Sequence, residues 1–112
     1  MKNISFILAI FFTAFVCCNK LDIEKGTPRC VEKKIKEFNE NSSCGDAKVD
    51  EYSFQNKTVY VFEPGTCGAD MTADVIDSDC NGLGSLGGFV GNTKINGEEF
   101  SKATFIKTIW KK

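Results

Sequence analysis

Histidine is missing from all 112 residues of the sequence. This excludes the Ser-His and Cys-His pairs that activate nucleophiles in many hydrolases, and it removes the commonest zinc ligand. An excess of positive charge is missing as well, because 14 basic residues stand against 15 acidic ones and give a net charge of −1. That balance argues against a protein that binds nucleic acid.

A hydrophobic run long enough to cross a membrane is also missing. The longest uncharged and largely apolar run, from Ile4 to Val16, follows Lys2 and leads into Cys17 and Cys18. As a helix it would span only about 20 Å, whereas the core of a bilayer is about 30 Å thick, so an uncleaved anchor is disfavoured. A basic start, a short apolar segment and a cysteine at the cleavage point predict a bacterial lipoprotein signal over residues 1–17. We expect Cys18 to carry the lipid.

The residues around the predicted cleavage point leave alternatives open. Phe15 stands three residues before Cys18, where a lipobox usually has Leu. Ordinary signal peptidase would cut before Cys17, after Ala14 and Val16, and would give a secreted protein. Lipidation of Cys17 is a further variant. With palmitate-type chains on Cys18 the protein would be anchored in the cell envelope, to the outer membrane or the periplasmic membrane face, because several acyl chains anchor far more firmly than one.

The rest of the sequence predicts one domain behind a short tether. Residues 18–26 are largely polar or charged and form the tether, and residues 27–112 suffice for a single small domain. Thr27 and Pro28 are typical of a helix start, Thr27 as the cap and Pro28 as the first helical residue. Apolar residues that recur at three- and four-residue spacing predict an amphipathic helix as far as about Asn41.

Four later segments are rich in β-branched and aromatic residues. Val49–Phe54 and Thr58–Phe62 predict a β-hairpin, while Ala73–Ile76 and Ala103–Trp110 predict two further strands. The second hairpin strand has apolar side chains on both faces, which predicts a central strand with the helix on one side and a loop or partner on the other. The expected fold is α+β, with one N-terminal helix packed on a small antiparallel sheet of three to five strands and stapled by disulfides.

The cysteines beyond the signal are even in number, which in an exported chain indicates disulfides rather than a metal site. They are Cys30, Cys44, Cys67 and Cys80. Four cysteines allow three pairings, and short loops favour Cys30 with Cys44 and Cys67 with Cys80. Cys30 also lies on the helical stripe that faces the core, so a bond from Cys30 to a strand is the alternative.

The segment from Asp77 to Gly82 matches the first half of a calcium-binding loop, D-x-D-x-N-G. Its candidate ligands are Asp77, Asp79 and Asn81. The bidentate Glu that completes such a loop is replaced by Gly88, so a hydrogen-bonded Asx-type turn is the competing interpretation. Calcium is the only cofactor that the sequence suggests.

Two other patterns with functional precedents are incomplete. The glycine-rich segment Gly82–Asn92 lacks the order of a phosphate-binding motif and predicts a tightly packed loop. A histidine-free hydrolase needs two carboxylates on opposite sides of a cleft, which so small a domain rarely forms. The candidate carboxylates are Glu63, Asp70, Asp74, Glu98 and Glu99.

Several segments after the helix also carry a resemblance. They are Val59–Phe62, Cys67–Asp70, Val75–Asp77 with Asp79–Asn81, and Gly87–Asn92. Over roughly Cys30 to Trp110 the chain resembles a family of small, uncharacterised lipoproteins from Bacteroidota-type bacteria. The resemblance implies an envelope lipoprotein and supplies no catalytic residues. Family members often have further cysteines near the glycine run, and their absence around Gly84 and Lys94 implies that one disulfide of that pattern is missing here.

These observations together predict a cell-envelope lipoprotein that is not an enzyme. We expect a binding, inhibitory or structural interaction module, because a compact disulfide-bonded domain with a rigid glycine loop presents a pre-organised surface. The expected partners are the membrane, through the lipid, and an envelope protein or small ligand. Two alternatives remain open: a carrier of calcium or a small ligand, and a carboxylate hydrolase.

Overall fold

The computed structural model describes residues 21–112, so the predicted signal and Cys18 lie outside the described residues. The described part of the chain begins with a short non-helical segment, followed by one α-helix and then mainly by β-strands. In chain order the elements are α1 (Arg29–Asn41), β1 (Lys48–Phe54), β2 (Lys57–Glu63), β3 (Thr72–Asp77), β4 (Gly82–Gly87), β5 (Lys94–Ile95), β6 (Glu98–Glu99), a 3₁₀ turn (Phe100–Lys102) and β7 (Thr104–Lys111).

The predicted helix is confirmed, although its start differs by one residue. Helix α1 begins at Arg29, and Pro28 occupies the capping position with extended backbone. The Thr27 hydroxyl does not cap the helix but donates to the carbonyl oxygen of Glu24 at 2.7 Å. Val31 and Ile35 are fully buried against the sheet, as the helical spacing of the apolar residues requires.

The main sheet has five strands in the order β4-β3-β2-β1-β7, and every neighbouring pair is antiparallel. The predicted α+β fold, hairpin, third strand and final strand are therefore confirmed. Strands β1 and β2 are joined by Gln55 and Asn56, which both have positive φ. That is the geometry of a two-residue hairpin turn whose twist matches the flanking strands.

The predicted packed loop over Gly82–Asn92 is wrong for its first half, which forms the edge strand β4. Glycine is a poor strand former by composition. Here the backbone of β4 pairs with β3, while Leu83 and Leu86 pack against buried residues of the sheet. Backbone pairing and two leucines therefore outweigh the low strand propensity of the glycines.

The register defines two ends of the sheet. The residues at one end, called the Lys48 end, are Lys48, Glu63, Thr72, Gly87 and Lys111. The residues at the other end, called the Phe54 end, are Phe54, Lys57, Asp77, Gly82 and Thr104. Helix α1 runs from the Phe54 end towards the Lys48 end, since Cys30 bonds to Cys80 and the amine of Lys112 donates to the carbonyl of Ser42 at 2.9 Å.

Both faces of the central strand β2 are buried. Tyr60 and Phe62 contact the core beneath α1. Val59 and Val61 lie in a second core on the opposite face, which includes Ile95. The chain between β4 and β7 crosses that face to reach the far edge of the sheet, so of the two predicted alternatives, a loop or a partner, a loop covers the second side.

The disulfides pair Cys30 with Cys80 and Cys44 with Cys67. The favoured pairing of Cys30 with Cys44 and Cys67 with Cys80 is therefore wrong. Helix α1 separates Cys30 from Cys44 by about 17 Å along its axis, and β3 carries the chain between Cys67 and Cys80 from one end of the sheet to the other. Each observed bond instead joins two cysteines at the same end of the sheet.

Candidate functional site

The turn after β4 projects from the Lys48 end and is closed by its own backbone. The amide of Gly87 donates to the carbonyl of Asn92 at 2.8 Å, and the amide of Asn92 donates back at 3.0 Å. Within this pair, the amide of Gly91 donates to the carbonyl of Gly88 at 3.1 Å. Phe89 and Val90 thus occupy the two central positions of a β-turn. We call residues Gly87–Asn92 the Phe89 tip.

Glycine is required at the base of the Phe89 tip. Gly88 has a φ of 82°, a conformation that L side chains rarely adopt, and a Cβ there would lie 2.8 Å from Cγ2 of Thr72. The amide of Gly88 also donates to the carbonyl of Met71 at 3.2 Å. The glycines therefore hold the turn against the β3 side of the sheet and fix its direction.

The two central side chains of the Phe89 tip, Phe89 and Val90, are apolar and almost wholly exposed. Phe89 is 88% exposed and Val90 is 84% exposed, compared with 52% for Phe105 and 48% for Ile106. An exposed apolar pair on a backbone-closed turn presents a contact surface without first having to be ordered. The sequence reasoning missed this pair, although an apolar dipeptide flanked by Gly88 and Gly91 was the available signal.

The calcium candidates lie in the turn between β3 and β4, at the opposite end of β4 from the Phe89 tip. One carboxylate oxygen of Asp77 accepts from the amides of Asp79 and Asn81, each at 2.9 Å. The other accepts from the side-chain amide of Asn81 at 3.1 Å. The sequence thus folds here as an Asx-type turn around Asp77.

The hydrogen bonds of this turn set the chemistry of Asp77. Donation from the backbone amide and side chain of Asn81 holds the pKa of the Asp77 carboxyl below its usual range. The oxygens that a cation would need already accept N–H donors from their own loop. Among residues 21–112 no group of three or more acidic or cysteine side chains is arranged to hold a metal ion. Calcium binding by Asp77, Asp79 and Asn81 stays a prediction.

The candidate hydrolase carboxylates are distributed over both faces of the sheet. Asp74 lines a surface depression with Phe38 of α1 and accepts from the Ser85 hydroxyl at 2.7 Å. Glu98 lies on the segment that covers the opposite face, where it accepts from the Gln55 side chain at 2.9 Å. Glu99 is next to it and accepts from the Thr93 hydroxyl. Asp74 and the Glu98–Glu99 pair therefore do not face a common cleft.

A buried carboxylate that the sequence reasoning did not single out lies between β1 and β7. Asp50 is 2% exposed, accepts from the Thr108 hydroxyl at 2.7 Å and forms an ion pair with Lys48 at 3.2 Å. The hydrogen bond and charge of Asp50 raise the pKa of Lys48. Lys48 and Thr108 satisfy the buried charge, and the hydrogen bond from Thr108 joins β7 to β1, which is a structural role.

An open groove lies between the sheet and the segment that crosses it. Its volume is about 460 Å³. The residues that line it are Tyr52, Leu86, Asn92, Thr93, Glu99, Phe100, Ser101 and Ala103. The rings of Tyr52 and Phe100 meet edge to face, with centroids 5.0 Å apart, and give the groove an aromatic wall.

The part of the chain that the structure describes is thus a small disulfide-bonded α+β domain with an exposed apolar turn. In this part, no helix has the length and apolar character that crossing a membrane requires. The chain belongs to the family described as a domain of unknown function, DUF6970, whose model matches residues 33–112. No curated protein and no solved structure matches the chain.

Proposed function

We propose that this protein is a lipid-anchored domain of the cell envelope that acts by contact rather than by catalysis, with the Phe89 tip as its contact element. The exposure of Phe89 and Val90 on a turn closed by backbone hydrogen bonds carries the proposal. Polar residues and glycine are the usual choice at turns, and exposed apolar patches mark interaction sites.

The disulfides support the same function. The bond between Cys44 and Cys67 lies at the Lys48 end, the end from which the Phe89 tip projects. The bond stabilises the domain that carries the turn by constraining the unfolded chain, and the turn's own backbone hydrogen bonds leave it little freedom to lose when it meets a partner. Anchorage through Cys18 comes from the sequence of the signal and completes the proposal.

Cross-linking at the tip tests the contact function. Phe89 is replaced by benzoylphenylalanine in the full chain, expressed in cells that export it, and the sample is irradiated. We expect a covalent adduct at position 89 that is absent when the same group replaces Phe105, an exposed phenylalanine near the Phe54 end. Equal labelling at both positions, or none at position 89, would contradict the proposal.

Release from the membrane tests the anchor separately. We expect the exported chain to sediment with membranes and Cys18→Ser to be found in the soluble fraction, because the acyl chains supply the attachment. Cys17→Ser serves as the matched control and should stay with the membrane. Membrane retention of Cys18→Ser would exclude Cys18 as the anchor.

Carriage of a small apolar ligand is a second candidate, favoured by the groove with the aromatic wall of Tyr52 and Phe100. Anilinonaphthalene sulfonate is a suitable probe because its fluorescence rises in apolar surroundings. We expect saturable fluorescence that Phe100→Ser abolishes and that the double variant Phe89→Ser/Val90→Ser leaves unchanged. Loss of the signal in the double variant instead would assign the probe to the tip and remove the carrier.

A further inference from the structure

The Phe89 tip and the point where the chain enters the domain lie at the same end of the sheet. The tip follows Gly87, which pairs with Thr72 at the Lys48 end. Leu21 lines a depression with Asn39 and Glu40 of the last turn of α1. The amine of Lys112, which follows β7 at the Lys48 end, donates to the carbonyl of Asn39 at 3.1 Å.

The entering segment is fixed to the domain rather than free of it. The amide of Glu24 donates to the carbonyl of Ile109 in β7 at 2.9 Å, and Leu21 and Ile23 pack against the core beneath α1. Of the tether predicted over residues 18–26, the part from Leu21 to Glu24 therefore lies against the domain. Two residues, Asn19 and Lys20, lie between Cys18 and Leu21, and the three chain steps from Cys18 to Leu21 reach at most about 10 Å when fully extended.

So short a connection holds the Lys48 end close to whatever anchors Cys18. The entry point lies beside β7 and the tip follows β4, the opposite edge of the five-stranded sheet. Four strand spacings separate these edges, which corresponds to about 19 Å. A membrane that holds Cys18 thus lies within reach of a second contact at the Phe89 tip.

The chemistry of the tip suits a bilayer better than a protein partner. Residues 82–92 contain no charged side chain, so no charge pairing with a partner selects this surface. A stable protein interface buries about 800 Å² on each side, whereas one phenylalanine buries at most about 250 Å². A tip that supplements a lipid anchor needs to add only a small contact, because the anchor already confines it to the surface.

We infer that Phe89 and Val90 insert into the boundary between headgroups and acyl chains of the bilayer that holds Cys18. This inference rests on the proposed function, since it takes the anchor and the contact role of the tip as given. Two attachments, one near each edge of the Lys48 end, restrict the orientation of the domain. The Lys48 end faces the membrane, and the Phe54 end, with the turn around Asp77, faces away from it.

Quenching of an indole by brominated lipid tests the inference. The full lipid-anchored chain is reconstituted into phosphatidylcholine vesicles with brominated acyl chains, as the parent protein, Phe89→Trp and the matched control Phe105→Trp. Trp110 is 3% exposed and supplies the same background in all three proteins. We expect the indole at position 89 to be quenched strongly and the indole at position 105, near the Phe54 end, to be unaffected.

The possible outcomes separate this inference from the proposed function. If the parent protein does not float with the vesicles, the anchor fails and the inference fails with it. If it floats and the indole at position 89 is quenched no more than that at position 105, the inference alone is overturned. A protein adduct from the cross-linker at position 89 would keep the contact function but replace the bilayer by a protein partner.

Discussion

The two turns that flank β4 both change the direction of the chain, but different hydrogen bonds stabilise them. At the Phe54 end, Asp77 turns the chain with a carboxylate that accepts three N–H donors of its own loop. At the Lys48 end, Gly87 and Asn92 close the turn with backbone hydrogen bonds, the Asn92 side-chain amide donates to carbonyls outside the turn, and Phe89 and Val90 face solvent. The first turn is saturated by internal bonds, while the second leaves its side chains available, so the second has the features of a contact site.

Removal of the disulfide beside the Asp77 turn should have the largest effect on the stability of the domain. For Cys30→Ser/Cys80→Ser we expect the free energy of unfolding to fall by about 4 kcal/mol, because that bond closes the longer loop, with a sequence separation of 50. Urea denaturation measures the change. The matched control, Cys44→Ser/Cys67→Ser, opens a loop with a separation of 23 and should cost about 3 kcal/mol. A larger loss in the control would reverse the order that loop length predicts.

Substitution of a glycine in the Phe89 tip should have the next largest effect on stability. Gly88→Ala places a Cβ against Thr72 at a positive φ, and we expect a loss of about 1–2 kcal/mol of stability. Gly45→Ala is the control, since a Cβ there meets nothing within 4 Å. Equal denaturation midpoints for the two variants would mean that the tip is not held in the geometry described.

Protonation of Asp77 at low pH should destabilise its turn, whereas the Phe89 tip contains no carboxyl to protonate. Hydrogen bonds from Asn81 lower the pKa of Asp77, and those from Thr66 lower the pKa of Asp46 at the Lys48 end. A carboxyl with a lowered pKa stabilises the fold above its ordinary pKa of about 3.9, and this contribution disappears as the pH falls through the lowered value. We expect a constant urea midpoint from about pH 7 to 5 and a decline below about pH 4.

Variants at Asp77 and Asp79 test whether protonation of Asp77 causes this decline in stability. Asp77→Asn should be less stable near neutral pH and should lose less between pH 5 and 3, since it has no carboxyl to protonate at that position. Asp79→Asn, whose side chain is exposed, should follow the parent protein. An unchanged acid response in Asp77→Asn would assign the decline to another carboxyl, with Asp46 the next to test.

Substitution at the summit of the tip should have the smallest effect on stability. For Phe89→Ser/Val90→Ser we expect a change within about 0.5 kcal/mol, because neither side chain packs in the domain. The same variant should lose the cross-link and the insertion described above. Val59→Ala, in the second core, is the opposite control and should cost about 1–3 kcal/mol. Destabilisation of the tip variant to that extent would indicate a structural rather than a contact role.

The local elements of the fold followed from local patterns. The three- and four-residue spacing of apolar residues identified α1, and the crowding of β-branched and aromatic residues identified β1, β2, β3 and β7. The small hairpin β5–β6 was missed although Asn96 and Gly97 at its turn form an Asn-Gly pair, a strong short-range hairpin signal. Strand β4 was missed because its glycines have low strand propensity, and pairing with β3 determines its conformation.

The candidate site was harder to predict from the sequence than the fold. The motif at Asp77 had two interpretations, a calcium-binding loop and an Asx-type turn, and the structure has the turn. Such a turn can be predicted from sequence because its side-chain to backbone bonds form between near neighbours. The exposure of Phe89 and Val90 depends on where the tip projects, and the hydrogen bond from Thr108 to Asp50 depends on β7 lying next to β1. Neither fact is encoded within a few residues of the site.

The sequence by itself determined the presence of a helix and most strands, the turn around Asp77 and the number of cysteines available for bonding, because each depends on side chains within a few residues of one another. Only the tertiary structure decided which cysteines pair, that the chain enters at the same end as the Phe89 tip, and that the second face of β2 is covered by the crossing segment. The physical reason is that these features depend on which ends of α1 and β3 meet, and rigid elements about 17–20 Å long place residues close in sequence far apart in space.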